Sequence, residues 1–152
     1  MGQSATGTRI KRDSIKLRGS KHGSKFEDWN VGQNYKVEKS IGKGSYGVVA
    51  QAIQLTTGKR VAIKRISNIF QDIVDCKRIL REIIILSQMD HPCIVKLIEV
   101  LVPTKKLEPN NFNEIYLVLE FGESDLKKLV KSSLYLELIH IKTILWNLLH
   151  AI

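Results

Sequence analysis

Three glycines, a lysine and a glutamate carry the chemistry that can be read from this chain. Ile41-Gly42-Lys43-Gly44-Ser45-Tyr46-Gly47-Val48-Val49 contains the spacing G-x-G-x-x-G. Glycines there let backbone N–H groups approach a phosphate where a Cβ would clash. Val61-Ala62-Ile63-Lys64 follows one hairpin later. Val61 and Ile63 belong to one side of a strand, Ala62 and Lys64 to the other. A lysine among such apolar neighbours needs an anion for its head. Glu82, between Arg81 and Ile83 in a helical stretch, is its natural counter-charge. At contact such a pair gains about 4 kcal/mol at an effective dielectric of 20, before desolvation. It would hold the ammonium ready for phosphate oxygens instead of leaving it mobile. A flexible hairpin, a solvated strand lysine and an exposed helix charge are each common alone. The three together, in this order, are harder to explain so blandly.

The elements that must position these residues are legible around them. Tyr35 to Gly42 alternates apolar and polar residues, Gly47 to Gln54 is rich in β-branched residues, and Arg60 to Ile66 is a third strand. Thr56-Thr57-Gly58-Lys59 is a hairpin turn with a glycine for positive φ. Asp72 to Met89 reads as a helix with two apolar sets: Ile73, Leu80 and Ile84 flank Lys77 on one, and Ile79, Ile83 and Leu86 flank Glu82 on the other. His91-Pro92 ends it, since the residue before proline avoids the helical region. Ile94 to Val102 and Glu114 to Leu119 are further strands, joined by a polar loop from Pro103 to Asn113. Ser124 to Lys131 is a short helix with Ser124 as N-cap. Glu137 to Ile152 is an amphipathic helix with Ile141, Ile144, Leu145, Leu148, Leu149 and Ile152 on one stripe. Three strands, a helix, two strands, then helices make an α+β pattern.

That order decides what kind of glycine loop this is. A dinucleotide-binding loop would lead straight into a helix, but Val48-Val49-Ala50-Gln51-Ala52-Ile53 is strand-like. A P-loop needs G-x-x-x-x-G-K-[ST], which Gly42-Lys43-Gly44-Ser45 does not fit. A glycine hairpin between two strands, V-A-I-K on the third strand and a glutamate in the next helix form the set that protein kinases share. From Tyr35 to Ile152 the chain resembles a eukaryotic protein kinase: an N-lobe, with a five-stranded antiparallel sheet plus the αC helix, and the first helices of a C-lobe. Within that family it is similar to the MAP kinases. The residues that carry this are Leu80-Arg81-Glu82-Ile83, His91-Pro92-Cys93-Ile94-Val95 and Ile115-Tyr116-Leu117-Val118-Leu119-Glu120. Asp75 to Ile83, Ser124 to Leu129 and His140 to Leu145 look closest to the MAP kinases of apicomplexan and ciliate protists.

The resemblance implies roles for particular residues. Residues 1–34 would be a disordered basic tail, 35–122 the N-lobe and hinge, and 123–152 the start of the C-lobe. Gly42, Lys43, Gly44, Ser45, Tyr46 and Gly47 would cover the phosphates of ATP, and Lys64, held by Glu82, would contact them. Ile41, Val49 and Ala62 would pack on the adenine. Leu119 would be the gatekeeper behind it, Glu120 and Gly122 would offer hinge backbone groups, and Asp125 would reach the ribose. Leu86 would belong to the hydrophobic spine joining the lobes. Arg81 would grip a phosphorylated activation loop. The family transfers the γ-phosphate of ATP, with Mg²⁺, to protein serine or threonine, after activation by an upstream kinase.

No H-R-D, D-F-G or A-P-E occurs in these residues. The Mg²⁺ ligands and the aspartate that orients the attacking hydroxyl are therefore expected beyond them. The chain as it stands is expected to be inactive, and to be a fragment of a complete kinase. Five uncovered Ile and Leu side chains on the last helix would forgo roughly 7–15 kcal/mol of burial, so the isolated chain should aggregate or need a partner.

Composition sets the remaining bounds. With 43% hydrophobic and 26% charged residues the 152-residue chain has ordinary globular make-up. No apolar run reaches the ~20 residues that span a bilayer. Cys76 and Cys93 do not make a disulfide framework, and no cysteine or histidine spacing suggests zinc. Residues 1–35 hold seven basic and three acidic side chains, so four of the nine net positive charges sit there. Met1-Gly2-Gln3-Ser4-Ala5-Thr6 fits the N-myristoylation pattern. One myristoyl chain plus a basic tail would give membrane association; the plain alternative is a solvated leader. The expected location is the cytoplasm, with the nucleus or a membrane surface as alternatives. Two other functions compete with the enzyme. One is a non-catalytic N-lobe that binds nucleotide or protein. The other is a nucleic-acid binder, which is not expected, because the basic charges are not interleaved with aromatics on a sheet face.

Overall fold

The computed structural model describes residues 26–44, 47–103 and 113–152. Its elements are β1 (Tyr35–Gly44), β2 (Gly47–Gln54), β3 (Arg60–Ser67), α1 (Ile73–Gln88), β4 (Leu97–Leu101), β5 (Glu114–Glu120), α2 (Leu126–Lys131) and α3 (Leu138–His150). The strands form one sheet in the order β1-β2-β3-β5-β4, and every neighbouring pair is antiparallel. Gly58, at φ +69°, makes the β2–β3 turn without a side-chain penalty. Strand β4 starts three residues later than its apolar run suggested, because a turn closed by Ile94 N–H to His91 C=O (3.1 Å) takes up the preceding residues.

Each face of the sheet carries its own apolar cluster. On the outer face Val31, Tyr35, Ala52, Val61, Ile63, Tyr116 and Val118 are buried together, with Trp29 packed against them. On the inner face Ile66, Ile69, Ile79, Ile115 and Leu117 are buried, with Ile83, Leu97 and Leu119 alongside. The tail expected to run to residue 34 therefore ends sooner. Val31 is only 6% exposed, and Trp29 stacks at a tilt on Tyr116 with 5.8 Å between ring centroids. The Asn30 N–H donates to the Tyr116 hydroxyl at 3.0 Å. Two large apolar side chains close to the first strand are enough to order this segment, despite its polar neighbours.

Helix α1 begins on Asp72, whose carboxylate accepts from the N–H groups of Val74 (2.7 Å) and Asp75 (3.1 Å). Of its two apolar sets, the one around Ile79 and Ile83 meets the sheet. Ile73, Leu80 and Ile84 are exposed. Helix α2 is capped by Asp125 and not by Ser124: the Lys128 N–H donates to Asp125 Oδ1 at 2.7 Å. Both residues can cap, and the longer carboxylate takes the N3 amide. On α3, Ile141, Leu145, Leu148 and Leu149 are exposed, and Ile144 is half-buried.

Candidate functional site

Strand register gathers the site. Directly opposed residues share a face of a sheet. Gly42 pairs with Val49, Val49 with Lys64, and Lys64 with Leu117. In the next row Ala62 pairs with Leu119. Val49, Ala62, Lys64 and Leu119 thus lie on the inner face, which is also the face that receives α1. Strand β1 has irregularities between Val37 and Lys39 and between Ser40 and Gly42, the second of them at Ile41. Such bulges bend and twist a strand, here just before the glycine loop.

The glycine loop is a hairpin between β1 and β2, paired as far as Gly44 and Gly47. No helix springs from Gly47. Ser45 and Tyr46 lie outside the described residues. Gly42, Lys43 and Gly44 are exposed, and a Cβ on Gly42 or Gly44 would meet nothing closer than 3.9 Å. Gly47 differs. A Cβ there would sit 1.9 Å from the carbonyl oxygen of Arg65. The third glycine is required by the close approach of β3, whereas the first two leave room above the hairpin for something else.

Lys64 and Glu82 meet as their types predicted. Lys64 Nζ donates to Glu82 Oε1 at 2.7 Å and to Oε2 at 2.9 Å, with both side chains partly buried. The ammonium keeps a third proton for an anion brought against the inner face. Leu119 packs into the inner cluster beside Ile83 and Leu97. Leu86, one turn beyond Glu82, is half-buried, while Arg81 is exposed.

After β5 the chain passes the start of β3. Glu120 N–H donates to Lys96 C=O at 2.9 Å, so a main-chain contact from Glu120 to a ligand falls to its carbonyl. Arg60 is ion-paired with Glu123 and its guanidinium lies 5.0 Å over the Phe121 ring, which ties residues 121–123 to the start of β3. Gly122 is exposed, and a Cβ on it would find only ordinary contact. Asp125 is committed to capping: besides the Lys128 N–H, Lys128 Nζ stands 3.5 Å from Oδ2. The Lys128 N–H holds its carboxyl below the usual carboxylate range. A role at a ribose would have to share that carboxylate with the cap.

The outer face holds a second ionic cluster that sequence reasoning missed. Arg65 Nε and Nη2 donate to Glu114 Oε2 at 2.9 and 2.7 Å, and Nη1 donates to Asp28 at 2.5 Å. Its guanidinium lies 6.0 Å from the rings of both Trp29 and Tyr116. Arg65 holds the Asp28 carboxyl below its usual range. Nearby, burial pushes the Tyr35 phenol up to about 12, aided by its 2.6 Å hydrogen bond to Glu99. A cleft of about 770 Å³ between the glycine hairpin and the start of α1 is lined by Lys43, Gly44, Val48, Arg65, Gln71 and Asp72 among others. Its walls include neither Lys64, Ala62 nor Leu119, so it adjoins the Lys64 face without being it.

A glycine hairpin in register with a lysine that a helix glutamate fixes is an arrangement that can hold phosphates. Residues 35–152 match the model of the protein kinase domain. Mitogen-activated protein kinase 15 of Oryza sativa subsp. japonica is 42% identical over 127 residues, 84% of this chain and 25% of its own length. Mitogen-activated protein kinase 20 of Arabidopsis thaliana is 43% identical over 127 residues, covering 84% of this chain and 20% of the relative. Mitogen-activated protein kinase 8 of Arabidopsis thaliana is 37% identical over 144 residues, 93% of this chain and 24% of that protein. The chain belongs to the protein kinase family, and these similar relatives are all MAP kinases. It spans about a quarter or less of the length of these relatives. Kinases of this family use ATP with Mg²⁺, act on protein substrates and are switched on by upstream kinases.

Proposed function

We propose that this chain is the nucleotide-holding part of a serine/threonine protein kinase that transfers the γ-phosphate of ATP to protein serine or threonine. The Lys64–Glu82 pair supports this most directly. An ammonium fixed by two carboxylate contacts beneath a glycine hairpin is preorganised for phosphate oxygens, so little reorganisation is left for the moment of transfer. The backbone amides of residues 42–47 cover the phosphates, Val49 and Ala62 pack against the base, Leu119 limits its depth, and the main chain at Glu120 and Gly122 reads its edge. Mg²⁺ would neutralise charge on the phosphates. Its ligands are proposed to come from beyond these residues, since Glu82 is spent on Lys64. Arg81, exposed on α1, is free to take a phosphorylated activation segment.

The partners proposed are protein substrates and an upstream kinase, in the cytoplasm. Membrane attachment through Gly2 and the basic tail belongs to residues outside those described, and intact mass of the purified protein would reveal an acyl chain. The main test is transfer from labelled ATP to a serine- and threonine-containing peptide library by the full-length protein, after treatment with an activating kinase. Label on serine or threonine is expected. Label on tyrosine alone would refute the specificity. ATP binding without any transfer would replace the enzyme with a nucleotide-binding module, and salt-dependent DNA binding without ATP binding would refute both.

A further inference from the structure

The turn between α1 and β4 meets the far end of α3 in a cluster that plays no part in the Lys64 site. The chain contains four histidines and two cysteines, and three of those six, His91, Cys93 and His150, converge there. Their ligand atoms all lie within 4.8 Å of one another. The rings of His91 and His150 stand 4.9 Å apart, inclined by 35°. His91 Nδ1 accepts from the Cys93 N–H at 3.2 Å, and the Cys93 thiol donates to Asn147 Oδ1 at 3.8 Å. His91 and Cys93 are half-buried and His150 is exposed, so the group is both sheltered and reachable.

We propose that His91, Cys93 and His150 bind a zinc ion, with Asn147 or water completing four ligands. One thiolate and two imidazoles suit zinc, a borderline-soft ion that takes nitrogen and sulfur tetrahedrally. At Zn–N and Zn–S distances near 2.1 and 2.3 Å, tetrahedral neighbours stand about 3.4–3.7 Å apart. The widest separation therefore has to close by about 1 Å. His150 is the last residue of α3, and its exposed side chain has room to turn. Two ligands are fixed beforehand: His91 and Cys93 flank Pro92, whose ring sets the backbone between them. On binding, Cys93 loses its thiol proton to solvent and each neutral imidazole gives a lone pair. If Nδ1 is the His91 ligand, the hydrogen bond from the Cys93 N–H is exchanged for the metal. No electron is transferred. The ion would staple the α1–β4 turn, and with it the end of the helix that carries Glu82, to α3.

Cobalt(II) is the probe, because a thiolate–cobalt bond gives a near-ultraviolet charge-transfer band. Metal-free full chain should develop that band and saturate at about one equivalent, and zinc should abolish it by displacement. Cys76→Ser should behave as wild type and Cys93→Ser should lose the band. His150→Gln, at an exposed position whose ring contacts only His91 and Trp146 among the described residues, should weaken cobalt binding by about tenfold or more. If Cys93→Ser fails to fold, His150→Gln decides alone. Absence of the band in the wild-type chain, its persistence in Cys93→Ser, its loss in Cys76→Ser, or unchanged affinity in His150→Gln would each overturn the site.

Discussion

Lys64 and Arg65 are neighbours in one strand, both basic and both ion-paired, yet they point to opposite faces and do different work. Arg65 is enclosed. Glu114 and Asp28 take three of its N–H donors, and Trp29 and Tyr116 lie beside it, so it fastens the segment before β1 to the back of the sheet. Among the described residues Lys64 has one ion-pair partner, Glu82, supplied by a helix, and it shares a sheet face with Val49 of the glycine hairpin's second strand. A planar guanidinium suits a closed, many-donor junction, whereas a compact ammonium on a flexible stem suits a charge to be shared with a ligand. A guanidinium held by two carboxylates and two rings is architecture, and a helix-fixed ammonium with a proton to share is a site.

Substitutions can break that contrast. The largest effect is expected from Lys64→Met. Phosphoryl transfer by the full-length protein should fall by about 10²–10³-fold, with a melting temperature close to wild type. Gly47→Ala should follow at about 3 kcal/mol of lost stability, because its Cβ has nowhere to go against the Arg65 carbonyl; urea denaturation would measure it. Arg65→Met should cost about 1–2 kcal/mol, discounted for the exposure of Asp28, and leave nucleotide affinity unchanged. Smallest is the alkaline behaviour of Tyr35. Its folded-state phenol is raised to about 12 from 10.0, so the native state holds the proton more tightly. That stability is fully present below pH 10 and is lost as pH rises through about 12. Melting curves of Tyr35→Phe against wild type between those values should show a flatter decline in the variant.

What could be read beforehand, and what could not, follows the same division. The glycine spacing, the strand period and the helix placing Glu82 were all local signals, and the order of elements then left Lys64 and Glu82 little choice but to meet. The Arg65 cluster had no such signal. Asp28 and Glu114 lie 37 and 49 residues away, and alternation along β3 tells the face of Arg65 without telling its partners. Trp29 and Val31 were hidden in a Gly-, Ser- and Lys-rich stretch that shows no period, although two large apolar residues so near β1 were a usable hint. On α1 the sequence offered two apolar sets, and only packing distinguishes the buried Ile79 from the exposed Leu80. Ser124 and Asp125 are both capping residues, and one position of helix phase separates them. His91 and Cys93 flank a single proline, but His150 lies far along the chain, so no local spacing suggested a common site.

The central claim is that the inner-face lysine serves a nucleotide and the outer-face arginine serves the fold. Calorimetric titration of Mg-ATP into Lys64→Met and Arg65→Met, alongside thermal melts of both, tests it directly. Lys64→Met should lose nucleotide affinity and keep its melting temperature, and Arg65→Met should do the reverse. Equal loss of affinity in both variants, or retained affinity in Lys64→Met, would contradict the account.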